Sequence, residues 1–165
     1  MNGDKRKINK AYLIIFFLLI TILSFFYFQN LSDKDKVISL RPVTVNLLTS
    51  VHPNLSWSFK PLKKKLLIVP GEVTTIEYEV ENLDNKESIG IATFQYFPKQ
   101  YGKYISKINC FCYDAKTLKS KEKSKYSFVM FVDPKATKDS KTKHIKEITI
   151  QFTFFDYKEY KEKGK

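Results

Sequence analysis

Arginine is almost missing from this chain. Only Arg6 and Arg41 occur among 165 residues, so the net charge of +12 is carried almost wholly by lysine. Specific readers of nucleic acid depend on rigid guanidinium forks. The excess therefore argues against a nucleic-acid partner and leaves an anionic membrane surface or an acidic protein partner. Cysteine is equally scarce. The two present, Cys110 and Cys112, are too few for a disulfide framework. Histidine is limited to His52 and His144, both far from the cysteines and each the kind of loop residue that is usually solvated. No Ser-His-Asp order, HExxH or glycine-rich phosphate loop is present, and the reading is that the protein is not an enzyme. Glycine is sparse at five residues, whereas 14 Phe and 10 Tyr favour strands over helices.

Charge is also absent from residues 11–28, AYLIIFFLLITILSFFYF. A helix of that length reaches roughly 27 Å, close to the thickness of a bilayer's hydrocarbon core. Lys5, Arg6, Lys7 and Lys10 precede it, and Asp33-Lys34-Asp35-Lys36 after it balance. The positive-inside rule keeps residues 1–10 in the cytoplasm and exports the C-terminal remainder of the chain. The run closes on Ser24-Phe25-Phe26-Tyr27-Phe28, without a small-x-small cleavage site, so an uncleaved anchor is expected rather than a signal peptide. Residues 29–40 read as a polar linker.

From residue 41 to 156 the pattern is that of short strands. They are expected over Arg41 to Leu48, Leu55 to Phe59, Lys64 to Val69, Val73 to Glu81, Ser88 to Pro98, Tyr104 to Tyr113, Lys125 to Asp133 and His144 to Phe155. Alternation is clearest in the last, where Ile148, Ile150, Phe152 and Phe154 alternate with Thr149, Gln151 and Thr153. Pro70-Gly71 and Leu83-Asp84-Asn85-Lys86 supply turns. Seven or eight strands without an amphipathic helix predict an all-β protein, an immunoglobulin-like β-sandwich preceded by one transmembrane helix. Residues 116–125 and 135–146 read as Lys-rich loops able to steer an acidic partner, Met130 as core, and residues 157–165 as a charged tail.

The chemistry centres on Ile108-Asn109-Cys110-Phe111-Cys112-Tyr113. On a strand, side chains at i and i+2 share a face. Their Cα atoms then stand roughly 6.5–7 Å apart, wider than the ~5.5–6 Å preferred by a disulfide. A strand therefore resists closing the pair, although a bulge could allow it. Thiolates suit soft metals, and two alone suit Cu(I) better than zinc or an iron–sulfur cluster, which want four ligands. Metal site, redox pair and two buried core thiols all stay open on the residues alone.

The run Ser88-Ile89-Gly90-Ile91-Ala92-Thr93, Pro98, the stretch from Tyr104 to Tyr113, Val132-Asp133-Pro134 and the segment from Ile148 to Phe155 together resemble the CtaG-type cytochrome c oxidase assembly proteins. Trp57-Ser58-Phe59 and Pro70-Gly71-Glu72 also fit. The resemblance implies a single-span protein of the bacterial inner membrane, N-terminus cytoplasmic and domain periplasmic, or the mitochondrial inner membrane with its domain in the intermembrane space. It implies Cu(I) held by Cys110 and Cys112. The cargo would come from a copper donor protein and go to the CuB centre of cytochrome c oxidase subunit I, with a homodimer as the copper-bound form. Tyr104, Lys107 and Phe111 belong to the same motif and are expected to shape docking or the site. Three departures are visible, one of them Lys116, four residues after Cys112, where the family usually has Gln. No cysteine lies between Asn30 and Ser56, where the family commonly has one, and Lys121-Glu122 stands where a Gly-Glu turn is usual.

Overall fold

The computed structural model describes Tyr12, residues 15–27 and residues 41–163. Two compact units divide the chain, residues 1–39 and 40–165. In the first unit residues 15–27 are helical, with apolar side chains exposed. Among the described residues no helix is long and apolar enough to cross a membrane. Residues 11, 13, 14 and 28 of the expected span, the expected cytoplasmic residues 1–10 and the linker 29–40 lie outside the described residues.

Among the described residues the second unit is a β-sandwich of nine strands: β1 (Val43–Val51), β2 (Trp57–Pro61), β3 (Lys65–Ile68), β4 (Val73–Asn82), β5 (Ser88–Phe97), β6 (Ile105–Cys110), β7 (Lys116–Leu118), β8 (Lys123–Val132) and β9 (Glu147–Asp156). One sheet runs β3-β1-β9-β5-β7 and the other β2-β4-β8-β6. All pairings are antiparallel except that of β1 with β9, which is parallel with Val45 opposite Ile148. Alternation explains the core. In β4, Ile76, Tyr78 and Val80 point inward, and in β9 Ile148, Ile150, Phe152 and Phe154 do the same, all essentially sealed from solvent. Met130, expected in the core, is there.

Three local outcomes differ from the sequence reading. A short strand, β7, forms inside the first Lys-rich stretch, pairing Leu118 with Ser88. Residues 157–163 form a helix, α1 (Tyr157–Lys163), rather than only a charged tail. Its N–H at Glu159 is capped by Asp156 Oδ1 at 3.0 Å, and Tyr160 packs on Phe155. Third, the expected strand from Tyr104 to Tyr113 stops at Cys110.

Two positions show what the sandwich demands of the backbone. Gly90 lies under Trp57, whose indole N–H donates to Ser88 Oγ at 2.8 Å. A Cβ at residue 90 would meet the Trp57 ring at 2.8 Å and Leu55 at 2.9 Å. Lys121, in the turn after β7, has φ 57°, a left-handed conformation that costs an L-residue about 1–2 kcal/mol. Its ammonium donates to Leu83 O. Lys121→Gly should remove that backbone cost at the loss of one exposed hydrogen bond. The expected outcome is a gain of about 1 kcal/mol in urea unfolding.

Candidate functional site at Cys110 and Cys112

The cysteines stand where edge strand β6 gives way to a tight 3-10 turn over Phe111–Tyr113. Strand β6 pairs only with β8, and its register contains a bulge. Lys107 lies opposite Met130, Asn109 opposite Val129 and Cys110 opposite Phe128, so Ile108 is the extra residue. Met130 and Phe128 face the core. The bulge thus allows Lys107 and Cys110, three positions apart, to lie on the inner face together. Lys107 escapes burial because β6 is at the edge, while Cys110 is 4% exposed. Deleting Ile108 should give an unbulged strand that still turns Cys110 inward. The expected result is an unchanged slow alkylation of Cys110 in the reduced protein, checked by mass spectrometry.

After Cys110 the chain tightens. A 3-10 turn advances about 2 Å per residue against about 3.3 Å for a strand. The two Cα atoms are accordingly 5.0 Å apart and the sulfurs are joined as a disulfide. The expectation that strand spacing would keep the pair apart is corrected here, because only Cys110 belongs to the strand. The Cys112 N–H also donates to Cys110 Sγ at 3.2 Å. Cys112 is half-buried.

Phe111, between them, is the reason the turn holds its place. Its side chain enters the core and meets Phe152 at 4.7 Å, Tyr78 at 5.4 Å, Tyr126 at 5.6 Å, Phe59 at 5.8 Å and Phe154 at 5.9 Å between ring centroids. Both sheets contribute to that cluster. Beneath it the Tyr78 hydroxyl is buried with no hydrogen-bond partner among the described residues, and burial pushes its pKa up.

Lys107 sits beside this turn. Its ammonium lies 5.0 Å from the Phe94 ring centre and 5.3 Å from that of Tyr113, and the Tyr113 hydroxyl donates to Lys107 O at 3.2 Å. Ile108 and Tyr113 are exposed nearby in sequence. Tyr104 is not part of this group. It precedes β6 at the end opposite Cys110, about 15–20 Å away by the usual strand rise. There its hydroxyl donates to Asp139 Oδ2, which also takes Lys103 Nζ at 2.8 Å, while Lys141 N–H donates to Asp139 Oδ1 at 2.7 Å. The Lys103 ammonium first, then the Tyr104 hydroxyl and the Lys141 N–H, hold the Asp139 carboxyl well below the usual range. Asp139 joins the turn before β6 to the loop before β9. Nothing in the Lys-rich pattern around it distinguished it.

The donor set is soft and small. Among the described residues no group of three or more His, Cys, Asp or Glu side chains could hold a metal ion, and His144 is exposed while His52 packs on Phe155. What the arrangement offers is two sulfurs on one short turn, pinned by an aromatic plug at the rim of a β-sandwich. That defines a class: a β-sandwich bearing a Cys-x-Cys pair that is either a disulfide or, reduced, a two-thiolate site.

The family model for the cytochrome c oxidase assembly protein CtaG/Cox11 matches residues 22–156, and the chain belongs to that family. A relative from Sinorhizobium fredii, cytochrome c oxidase assembly protein CtaG, is 35% identical over 127 residues, which is 77% of this chain and 64% of that protein. The CtaG protein of Brucella ovis is likewise 35% identical, over 77% of this chain and 63% of its own. A mouse relative, the mitochondrial cytochrome c oxidase assembly protein COX11, is 35% identical over 76% of this chain and 44% of that one. The chain thus spans somewhat less than two thirds of the length of the two bacterial relatives and less than half of that of the mouse one. Among solved structures, a PapD-like domain of human CEP192 has 13% identity and a TM-score of 0.29, covering 72% of this chain and 85% of that chain. That likeness is too slight to bear on the fold.

Proposed function

We propose that this protein is a membrane-anchored Cu(I) carrier that takes part in assembling cytochrome c oxidase, delivering copper to the CuB centre of subunit I. The observation that carries the reading is the Cys110-Phe111-Cys112 turn, with both sulfurs adjacent and the intervening ring locked in the core, in a chain of the CtaG/Cox11 family. The disulfide is the form that cannot bind. Two electrons and two protons, supplied by a dithiol that becomes a disulfide itself, convert it to two thiols. Cu(I) then displaces the two protons and is held by two thiolates, soft donors matched to a soft cation. Low coordination leaves room for incoming ligands to add before the sulfurs leave, which suits a cargo that must be handed on.

On this reading residues 11–28 are the single span, and the sandwich, immunoglobulin-like in its pairing of first and last strands, lies on the periplasmic or intermembrane-space side. Copper comes from a donor protein, and two copper-bound copies associate as a homodimer. The protein carries cargo and catalyses no reaction. Anaerobic titration of the reduced full-length protein with Cu(I) tests it. Wild type should bind stoichiometrically and the Cys110→Ser/Cys112→Ser double variant should not; equal binding by both would sink the reading.

The bridged cysteines favour one second reading, a membrane-tethered thiol–disulfide protein. It predicts a reversible two-electron potential for the pair, and loss of function on double substitution whether or not copper is supplied. Full function of a wild-type pair held permanently reduced would exclude it.

A further inference from the structure

Away from the cysteines, in the other sheet, β3 forms an edge strand. The sequence around it, Pro61-Leu62-Lys63-Lys64-Lys65-Leu66-Leu67-Ile68, sets leucines among lysines. Leu62 is 45% exposed and Leu67 65% exposed. Leu48 is 52% exposed and follows Leu47, whose N–H donates to Lys64 O at 2.8 Å. A cleft of about 340 Å3 opens beside them, lined by Leu62, Leu66, Leu67 and Ile76 with Lys63 and Glu77 at its margin. Lys63, Lys64 and Lys65 are all exposed around this edge, against the carboxylates of Glu77 and of Glu147, which pairs with Lys65 at 3.6 Å. Exposed leucines set among lysines suit an interface between apolar chains and anionic headgroups, where the ammonium groups reach the phosphates while the leucines enter the boundary layer.

The place of the patch in the chain points the same way. Leu67 pairs with Thr44 and Ile68 with Val43, the first residue of β1. The patch therefore borders the strand by which the chain enters the sandwich. Residue 28 ends the apolar run 16 residues before Thr44 (44 − 28). Such a stretch spans at most about 55 Å when fully extended. A tether of that reach keeps the patch within range of the surface of any bilayer that residues 11–28 cross, and in this respect the inference rests on the anchored reading above.

We propose that the β3 edge, through Leu62, Leu67 and Lys63 to Lys65, is a docking surface for an anionic phospholipid bilayer. Bilayer contact there would hold the sandwich by a second point besides its tether. The β6 edge of the second sheet, with Cys110 and Cys112 at its end, would stay open to a protein partner.

The test uses the full-length chain reconstituted in vesicles of phosphatidylcholine, with and without phosphatidylglycerol. Trp57 is the only native tryptophan and is buried, so it gives a fixed background. Leu67→Trp places a reporter on the patch, and Leu62→Trp repeats the measurement should the first variant fold poorly. The expected result is blue-shifted emission quenched by brominated lipid in the anionic vesicles only, abolished by Lys63→Glu/Lys64→Glu in the same background. Water-like, iodide-accessible emission in both lipid compositions would overturn the proposal. So would shielding that arises in protein-containing membranes but not in pure anionic vesicles, which assigns the patch to a protein. Extraction with carbonate separates the two readings. Release from the vesicles overturns the anchor, while the quenching still reports on the patch.

Discussion

Phe111→Ala should destabilise the sandwich by about 3–5 kcal/mol, the range for removing a fully buried aromatic ring, measured by chemical unfolding of the oxidised protein. The ring is 6% exposed and touches five other aromatic rings drawn from both sheets. Its loss leaves a cavity between two sheets that are each held by long hydrogen-bonded ladders, so collapse is resisted and the upper part of the range is expected. Phe111→Leu keeps most of the volume and should cost much less. The two variants also separate stability from site geometry. Phe111 is the single residue between the sulfurs, and without its ring the turn is no longer pinned to the core. If the pair holds Cu(I) as proposed, reduced Phe111→Ala should therefore bind it more weakly even under conditions where it is fully folded. Unchanged copper affinity in folded Phe111→Ala would show that the plug stabilises the sandwich without positioning the sulfurs.

If the protein carries copper as proposed, loss of either cysteine should abolish delivery, yet the two should differ in how they are reached. One thiolate cannot hold Cu(I) between two sulfurs, so cells carrying Cys110→Ser or Cys112→Ser should contain cytochrome c oxidase deficient in CuB, measured by metal content of the purified enzyme. Full CuB content with either variant would remove the pair from the delivery route. The difference lies in access. Cys110 is 4% exposed and lies opposite Phe128, while Cys112 is half-buried on the turn. In reduced protein Cys112 should be alkylated well before Cys110. On the proposed reading, the same order would make Cys112 the sulfur that a dithiol reductant or an incoming copper donor meets first.

Much of the sandwich was legible because burial on one face writes a period of two into the sequence. Strands β4 and β9 show it without interruption, and their inward residues are those that alternation picks out. What escaped has physical reasons. The three residues of β7 lie among lysines and pair with only the first residues of β5, so no alternation could develop. The C-terminal helix is seven residues long and charged on most of its surface, and its one clear signal was an aspartate at its start. The site was legible in its residues but not in its geometry. The stretch from Ile105 to Cys110 reads Ile-Ser-Lys-Ile-Asn-Cys, in which apolar residues fail to alternate; that failure is the trace of the bulge at Ile108. The switch from strand to 3-10 turn at Phe111 depends on an aromatic pocket built from four other strands, and no local pattern encodes it. Tyr104 and Lys107, close in sequence, serve different ends of β6: one is tied to Asp139, the other caps Phe94 beside Tyr113.

The parallel pairing of β1 with β9 has a consequence for biosynthesis. The first and last strands are neighbours in the middle of one sheet, and two of the rings that grip Phe111, Phe152 and Phe154, arrive with the last strand. While the chain is still emerging, the cysteines are already made but their frame is not. A nascent chain that has reached residue 147 carries both sulfurs before the Phe152 and Phe154 rings exist to hold Phe111. The aromatic frame of the turn is therefore complete only once β9 has been made.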